Sequence, residues 1–78
     1  MSKCYSRLEK RNPAKNQARF YTMHMVPTLF GSWSLVREWG RIGSPGRVLE
    51  EWFDTLEECQ LALVKWEQKK LKKGYQTR

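Results

Sequence analysis

Three side chains at alternate positions of one short segment have the chemistry to bind a phosphorylated ligand. Arg37, Trp39 and Arg41 are spaced two residues apart, and residues two apart in a β-strand share a face. At a rise of about 3.3 Å per residue, the two arginines would lie roughly 13 Å apart and reach different phosphates. A guanidinium binds phosphate bidentately, and an indole stacks on a sugar or base. The spacing therefore predicts a surface that holds a sugar and a phosphate together.

The residues around Trp39 leave a second interpretation open. Gly40 has no side chain, so a ligand or another backbone segment can approach it closely. However, tryptophan is highly buried on average, and Leu35 shares the predicted face of Trp39. Periodicity alone therefore favours a core position for Trp39 over a ligand contact.

Other catalytic and binding chemistries find little support in the sequence. His24 is the single histidine, and Cys4 and Cys59 are far apart, which does not fit a multi-ligand metal site. The adjacent acidic pairs 50–51 and 57–58 point in different directions, and no glycine-rich nucleotide fingerprint joins a strand to the helix. We therefore expect a protein that is not an enzyme and that uses no metal or cofactor.

The charge of the chain is positive and unevenly distributed. Its 78 residues carry a formal net charge of +7, with basic residues dominating 1–19 and 65–78 and acidic residues in excess between them. Basic ends of this kind fit a polyanionic partner; the alternative is a soluble surface with lysines placed at a helix end. Acidic residues crowd the predicted helix start, so we expect phosphate near Arg37 and Arg41 instead.

The hydrophobic pattern predicts four strands followed by one helix. The strands are expected at Lys3–Lys10, Arg19–Val26, Trp33–Ile42 and Arg47–Phe53, with a loop at Asn12–Asn16. Thr55 and Glu58 form a capping box, the helix runs from Leu56 to Lys73, and Gly74 ends it. Tyr75 then begins a tail that is able to form a last edge strand.

This order of elements predicts an α+β fold, in which a small antiparallel β-sheet of four or five strands carries one α-helix on one face. Residues 1–78 are expected to form a single domain. Trp33, Trp52 and Trp66 are expected to be core or partly buried packing residues. Because nothing resembles a signal peptide or an apolar span, we also expect reduced thiols, a cytoplasmic location and no membrane segment. We further expect a monomer.

The segment Trp39-Gly40-Arg41-Ile42-Gly43 resembles the defining motif of the WGR domain. The resemblance extends over about residues 18–75: it includes the pair Phe20-Tyr21, Gly46, Phe53, the helix after Thr55, Lys70 and the pair Gly74-Tyr75. It implies a small antiparallel sheet with one helix, in agreement with the pattern of elements. WGR domains occur in poly(ADP-ribose) polymerases, where they engage DNA ends and relay the break signal, and in small bacterial proteins.

The resemblance implies roles for particular residues. Trp39 would pack against a terminal sugar or nucleotide, Arg41 would meet a nearby phosphate or a neighbouring domain, and Lys70 would contribute to binding or to structure. The 78 residues hold no polymerase catalytic domain, so we expect DNA-end binding without break signalling.

Two functions follow from these observations. The first is a module that binds nucleic acid, DNA before RNA, through Arg37, Trp39, Gly40, Arg41 and Lys70. The alternative is a protein-interaction module that docks a partner chain through the same face, with Trp39 and Arg41 as its anchors.

Overall fold

The computed structural model describes residues 4–77 as a five-stranded antiparallel sheet with one helix. The elements are β1 (Tyr5–Asn12), β2 (Gln17–Pro27), β3 (Trp33–Arg41), β4 (Arg47–Phe53), α1 (Leu56–Lys72) and β5 (Gln76–Thr77). The strands lie in the order β4-β3-β2-β1-β5. The predicted α+β class, with one helix on a small antiparallel sheet, is confirmed.

The core lies between one face of the sheet and the helix. Side chains alternate between the faces of a strand, and alternate residues of the central strands, such as Met23, Met25 and Leu35, turn towards the helix. Cys59 and Leu63 meet them from α1, and both are fully buried. Helical spacing places these two residues on the same stripe, as the sequence pattern indicates.

The opposite face of the sheet carries no helix in the described part of the chain. Trp52 lies on this open face, where 57% of its surface is exposed and its ring is 6.3 Å from that of Phe30. The prediction that Trp52 is a packing residue of the core is therefore wrong. Trp52 pairs in register with Ser34, and both side chains point to the open face. The helix covers the other face of β4, to which the odd-numbered residues point.

Both ends of the helix are fixed by local hydrogen bonds. The Oγ1 atom of Thr55 accepts a hydrogen bond from the Glu58 amide at 3.2 Å, so the predicted N-cap is confirmed. Gly74 has φ +98°, and the amides of Gly74 and Tyr75 donate to the carbonyls of Leu71 and Lys70, each at 3.1 Å. This pair of bonds is a Schellman motif, and it turns Tyr75 back against Tyr21, with ring centroids 6.4 Å apart.

The first hairpin is tighter than the sequence predicts. Strands β1 and β2 pair as far as Asn12 and Gln17, and the predicted loop between them is a short 3-10 turn, Pro13–Lys15. Asn16 takes the left-handed conformation at φ 51°, which asparagine tolerates better than most residues. The predicted start of the first strand at Lys3 lies outside the described residues.

The helical part of the described chain contains no segment that is long and apolar enough to span a membrane.

Candidate nucleic-acid interface

Trp39 lies near the end of β3, where it belongs to the core and also to a surface pocket. It stands opposite Tyr21 in register, and the two rings stack with centroids 5.9 Å apart and planes inclined by 27°. The indole is partly buried against the core cluster. The same residue lines a surface cavity, so core packing and exposure to a ligand are combined in one side chain.

Two glycines close the turn that follows Trp39. A Cβ on Gly46 would lie 2.6 Å from the Trp39 carbonyl oxygen and 2.8 Å from Phe20 Cζ, and a Cβ on Gly40 would lie 3.0 Å from Gly46 Cα. The close approach at Gly40 is therefore made by another backbone segment, one of the two uses that the sequence left open. The turn itself is closed by the Ser44 amide, which donates to the Arg41 carbonyl at 3.1 Å. This packing fixes the direction in which the end of β3 leaves the sheet.

A cavity of about 400 Å³, called here the motif pocket, lies beside this segment. It is formed by the turn after β1, the start of β2, the end of β3 and the residue after the helix terminus. Its lining residues are Lys15, Asn16, Gln17, Ala18, Arg19, Trp39, Gly40, Arg41 and Tyr75. All of the charged residues in this lining are basic, and two aromatic rings complete it. The pocket therefore offers cations and π-faces side by side.

The two arginines of the motif pocket are direct cross-strand neighbours. Arg19 on β2 stands opposite Arg41 on β3, and both side chains are exposed. Like charges that face each other across a strand pair are destabilising. An anion bound between them would remove this repulsion, so the register itself favours an anionic ligand at this point.

Arg37 lies in a different environment from Arg41. It shares the helix-covered face of β3 with Trp39, as the strand pattern predicts, but only 8% of its surface is exposed. Its guanidinium lies 4.1 Å from the Trp66 ring centroid and donates from Nη1 to Tyr21 Oη at 3.2 Å. The two arginines are predicted to project together and to reach different phosphates; in the structure the helix covers Arg37, whereas Arg41 is exposed. Arg37 does not line the motif pocket.

Lys70 is placed next to the aromatic residues beneath the motif pocket without lining the pocket itself. Its Nζ lies 4.8 Å from the Tyr21 ring centroid and 5.6 Å from that of Tyr75. Burial lowers the pKa of this ammonium, and repulsion from Lys73, Lys69 and Arg37 lowers it further. Lys70 thus contacts the rings of Tyr21 and Tyr75, and Tyr21 in turn packs against Trp39.

The phenol of Tyr21 joins these groups. Burial raises its pKa, while the hydrogen bond and the positive charge of Arg37 oppose that rise. Its ring stacks on Trp39 on one side and meets Tyr75 edge-on. Tyr21 therefore contacts both Trp39 and Tyr75, and links the motif to the segment that follows the helix.

Three charged or aromatic residues of the motif pocket, Lys15, Arg19 and Tyr75, are not among the binding residues that the sequence predicts. Lys15 and Arg19 enter the prediction only as part of a basic end, and Tyr75 as the start of a tail and as part of the Gly74-Tyr75 pair of the family resemblance. The signal for Arg19 is its position at the start of a strand, but the register that places it opposite Arg41 cannot be read from one sequence. The Gly74-Tyr75 pair was the available signal for Tyr75.

Cys59 and His24 lie on opposite faces of the sheet. Burial, with a smaller contribution from the negative charge of Glu51, raises the pKa of the Cys59 thiol. His24 is exposed on the open face and packs against Tyr5 with ring centroids 4.7 Å apart and ring planes tilted by 51°. A dyad of these two residues is therefore excluded by the fold.

Comparison with known proteins places this geometry in a family. The family model described as the WGR domain matches residues 5–78. The chain is 37% identical over 71 residues to "Uncharacterized protein y4dW" of Sinorhizobium fredii. The match covers 91% of this chain and 35% of that relative, so the chain spans about a third of the relative's length. No solved structure gives a significant match.

The matched family region contains every residue of the motif pocket as well as the core, the helix and the glycine turn. The chain therefore belongs to the WGR family, whose domains are generally nucleic-acid-binding modules.

Proposed function

We propose that this chain binds duplex DNA at or near a strand end, with the sugar-phosphate backbone held in the motif pocket. The observation that carries the proposal is the arrangement of Lys15, Arg19 and Arg41 around the rings of Trp39 and Tyr75. Phosphate contacts supply most of the affinity of a nucleic-acid-binding surface and make it sensitive to salt. The aromatic faces provide stacking that tolerates any base.

The binding mode follows from the two halves of the pocket. The facing guanidinium groups of Arg19 and Arg41 would share one phosphate, because their mutual repulsion favours an anion between them. The indole of Trp39 would lie against the sugar or base next to that phosphate. A strand terminus exposes such a sugar or base face, whereas a continuous duplex stacks it away. The chain would thus recognise shape and charge, without reading a base sequence.

The role that we propose is binding and not catalysis. The motif pocket combines basic, amide and aromatic groups, which suit the recognition of a charged polymer. Lys70 would act through the rings of Tyr21 and Tyr75, whose positions it stabilises by cation–π contact. Arg37 does not line the motif pocket, so in this binding mode it would contribute only to the positive potential around the pocket.

Fluorescence anisotropy with three labelled DNA molecules tests this function. A blunt duplex, a duplex with an overhang and a duplex closed at both ends by hairpin loops are titrated at low salt. We expect tighter binding to the open ends and a loss of about tenfold or more in Trp39→Ala, in line with roughly 1–3 kcal/mol per stacked base. Trp52→Ala is the matched control, because it removes an exposed indole from the opposite face.

Three results would contradict the proposal: no binding at low salt, equal binding to the closed duplex, or an equal loss in Trp39→Ala and Trp52→Ala. Thermal unfolding of both variants shows whether each retains its fold. A partner from the same cells that survives nuclease treatment and is lost in Arg41→Ala would instead favour the protein-docking alternative for this face.

A further inference from the structure

Arg37 carries a buried positive charge without an acidic partner. Its side chain is more than nine-tenths buried, and its Nε atom has no hydrogen-bond partner within the described residues. Among residues 4–77, its hydrogen-bond acceptor is the uncharged Tyr21 phenol. The ion pairs of residues 4–77 join Arg7 and Arg11 to Glu9. Arg37 is thus compensated only by a hydroxyl and by ring faces.

Such compensation is incomplete for a buried cation. The rings of Trp66 and Trp39 lie 4.1 Å and 5.8 Å from the guanidinium carbon, and cation–π contact offsets part of the cost of burial. A buried charge is costly unless it is paired and hydrogen-bonded. An anion next to Arg37 would supply what the described residues do not.

Arg37 is among the residues that line a second cavity. This cavity has a volume of about 530 Å³ and lies between β4 and α1; we call it the helix–β4 pocket. Its lining residues are Arg37, Leu49, Glu50, Glu51, Phe53, Ala62, Lys65, Trp66 and Lys69. It shares no lining residue with the motif pocket. Two lysines on successive turns of the helix thus stand beside a buried arginine.

The acidic residues of the lining do not neutralise these cations. The Oε1 atom of Glu50 accepts hydrogen bonds from Ser34 Oγ at 2.7 Å and from Trp52 Nε1 at 3.2 Å. Both donors belong to the open face of the sheet, so the carboxylate of Glu50 is held on that face. Glu51 is then the single carboxylate on the side of the three cations within the lining, and the helix–β4 pocket is positive in balance.

The size and the walls of the pocket identify the class of ligand. Ligand sites are commonly about 300–1,000 Å³ and mostly apolar, with a few placed polar groups. Leu49, Phe53, Ala62 and the edge of Trp66 provide the apolar wall. The three cations Arg37, Lys65 and Lys69 match a doubly charged phosphate better than a singly charged carboxylate. A guanidinium can donate two parallel hydrogen bonds to phosphate oxygens.

We propose that the helix–β4 pocket is a second anion-binding site, which takes a phosphate group on a nucleotide-sized body and holds the phosphate against Arg37, Lys65 and Lys69. The body of the ligand lies on the apolar wall. This site is separate from the motif pocket and does not depend on the proposed binding of a DNA end. The phosphate comes either from a free nucleotide or from a strand terminus, and both sources share this chemistry.

The test uses adenosine 5′-monophosphate and inorganic phosphate as probes at low salt. Binding is followed by calorimetry and by the indole N–H signals in nuclear magnetic resonance spectra. We expect adenosine 5′-monophosphate to shift the Trp66 indole signal, and Lys65→Ala/Lys69→Ala to weaken binding at least tenfold. The matched control, Lys72→Ala/Lys73→Ala, also removes two charges from the helix, but from exposed positions outside both pockets, and is expected to change affinity less than twofold.

The test uses Lys65 and Lys69 because both are exposed, so their substitution should leave the fold intact, whereas Arg37 is buried and its substitution would disturb the core. The proposal is overturned if neither probe binds, if both double variants lose affinity equally, or if the shifts concentrate at Trp39 in place of Trp66. A 5′-phosphorylated oligonucleotide that displaces the bound nucleotide would identify a strand terminus as the source, and failure to displace it would identify a free nucleotide. DNA-end binding is measured separately by anisotropy, so the two proposals can fail independently.

Discussion

Trp39 contacts the core on one side and the motif pocket on the other. Both contacts follow from its position in β3, two residues before Arg41. One side of the indole stacks on Tyr21 within the core, and the residue also lines the motif pocket. A ring held in this way needs little further ordering when a ligand binds, and a preorganised contact loses less conformational entropy on association. Core packing and ligand contact are therefore complementary roles of Trp39.

Arg41→Ala is predicted to weaken binding to an open DNA end about tenfold, which corresponds to roughly 1.4 kcal/mol. The slope of log affinity against log salt should also become shallower by about one. Because Arg41 is exposed, the fold should be retained. Arg11→Ala is the matched control: it removes an exposed arginine that pairs with Glu9 at 3.2 Å outside the pocket. Equal effects of the two substitutions in an anisotropy titration would contradict the prediction.

Lys70 is predicted to lose its proton at a lower pH than an ordinary lysine. Burial lowers its pKa first, and repulsion from Lys73 is the next cause. In the window between the lowered pKa and the ordinary value, the unfolded chain binds more protons than the folded chain. The contribution of Lys70 to the free energy of unfolding should therefore increase as the pH rises through this window.

A pH titration of the Lys70 Cε and Nζ resonances measures this shift. Lys73→Ala removes a like charge and should raise the pKa of Lys70, whereas Lys65→Ala, which is not among the causes of the shift, should leave it unchanged. A Lys70 that titrates at or above the ordinary lysine value would be the contrary result.

At the scale of elements, the turn between β3 and β4 positions the motif. Gly46 approaches the carbonyl of Trp39 and the ring of Phe20 so closely that a methyl group has no space on either side. The opposite end of the pocket depends on the Schellman motif at the end of α1, which places Tyr75. Two chain reversals, far apart in sequence, thus form one site.

Gly46→Ala is predicted to destabilise the fold by about 1–3 kcal/mol, as overpacking commonly does. The added Cβ would lie 2.6 Å from the Trp39 carbonyl oxygen, which is backbone and cannot rotate away. Thermal unfolding measures the effect, with Ser44→Ala in the same turn as the control. A melting temperature equal to that of the control would show that the turn relaxes without cost.

The elements could be predicted from the sequence because they depend on local patterns. The alternation of apolar and polar residues predicts the strands, and Thr55 and Gly74 predict the two ends of the helix. The strand register could not be predicted in this way, since it depends on pairing between distant residues, and it places Arg19 opposite Arg41. The burial of Arg37 and the exposure of Trp52 depend on which face the helix covers, and the alternation in strands β3 and β4 was too mixed to decide that.

At the scale of the whole molecule, the motif pocket unites the two basic ends of the chain. Lys15 and Arg19 come from the first fifth or so of the sequence, and Tyr75 follows the lysine-rich end of the helix. The positive charge is thereby concentrated near the aromatic rings of the site. A polyanion would be attracted to this region before any specific contact forms.

The slope of log affinity against log salt is predicted to be about −2 for an open duplex end, because Arg19 and Arg41 would share one phosphate and Lys15 would neutralise a second, at about −0.9 per phosphate. Anisotropy titrations over a series of salt concentrations measure it. The closed duplex serves as the comparison for end preference. A slope close to zero would exclude phosphate contacts as the main source of affinity.

Contact between Trp39 and the bound DNA end is reported directly by the indole N–H resonance of Trp39. In a titration with a short 5′-phosphorylated blunt duplex, four tryptophans provide internal comparison within one sample. We predict that the Trp39 indole signal shifts most, while that of Trp52 on the open face stays close to its free position. A titration in which Trp52 shifts and Trp39 does not, or in which no indole signal moves at low salt, would contradict the claim.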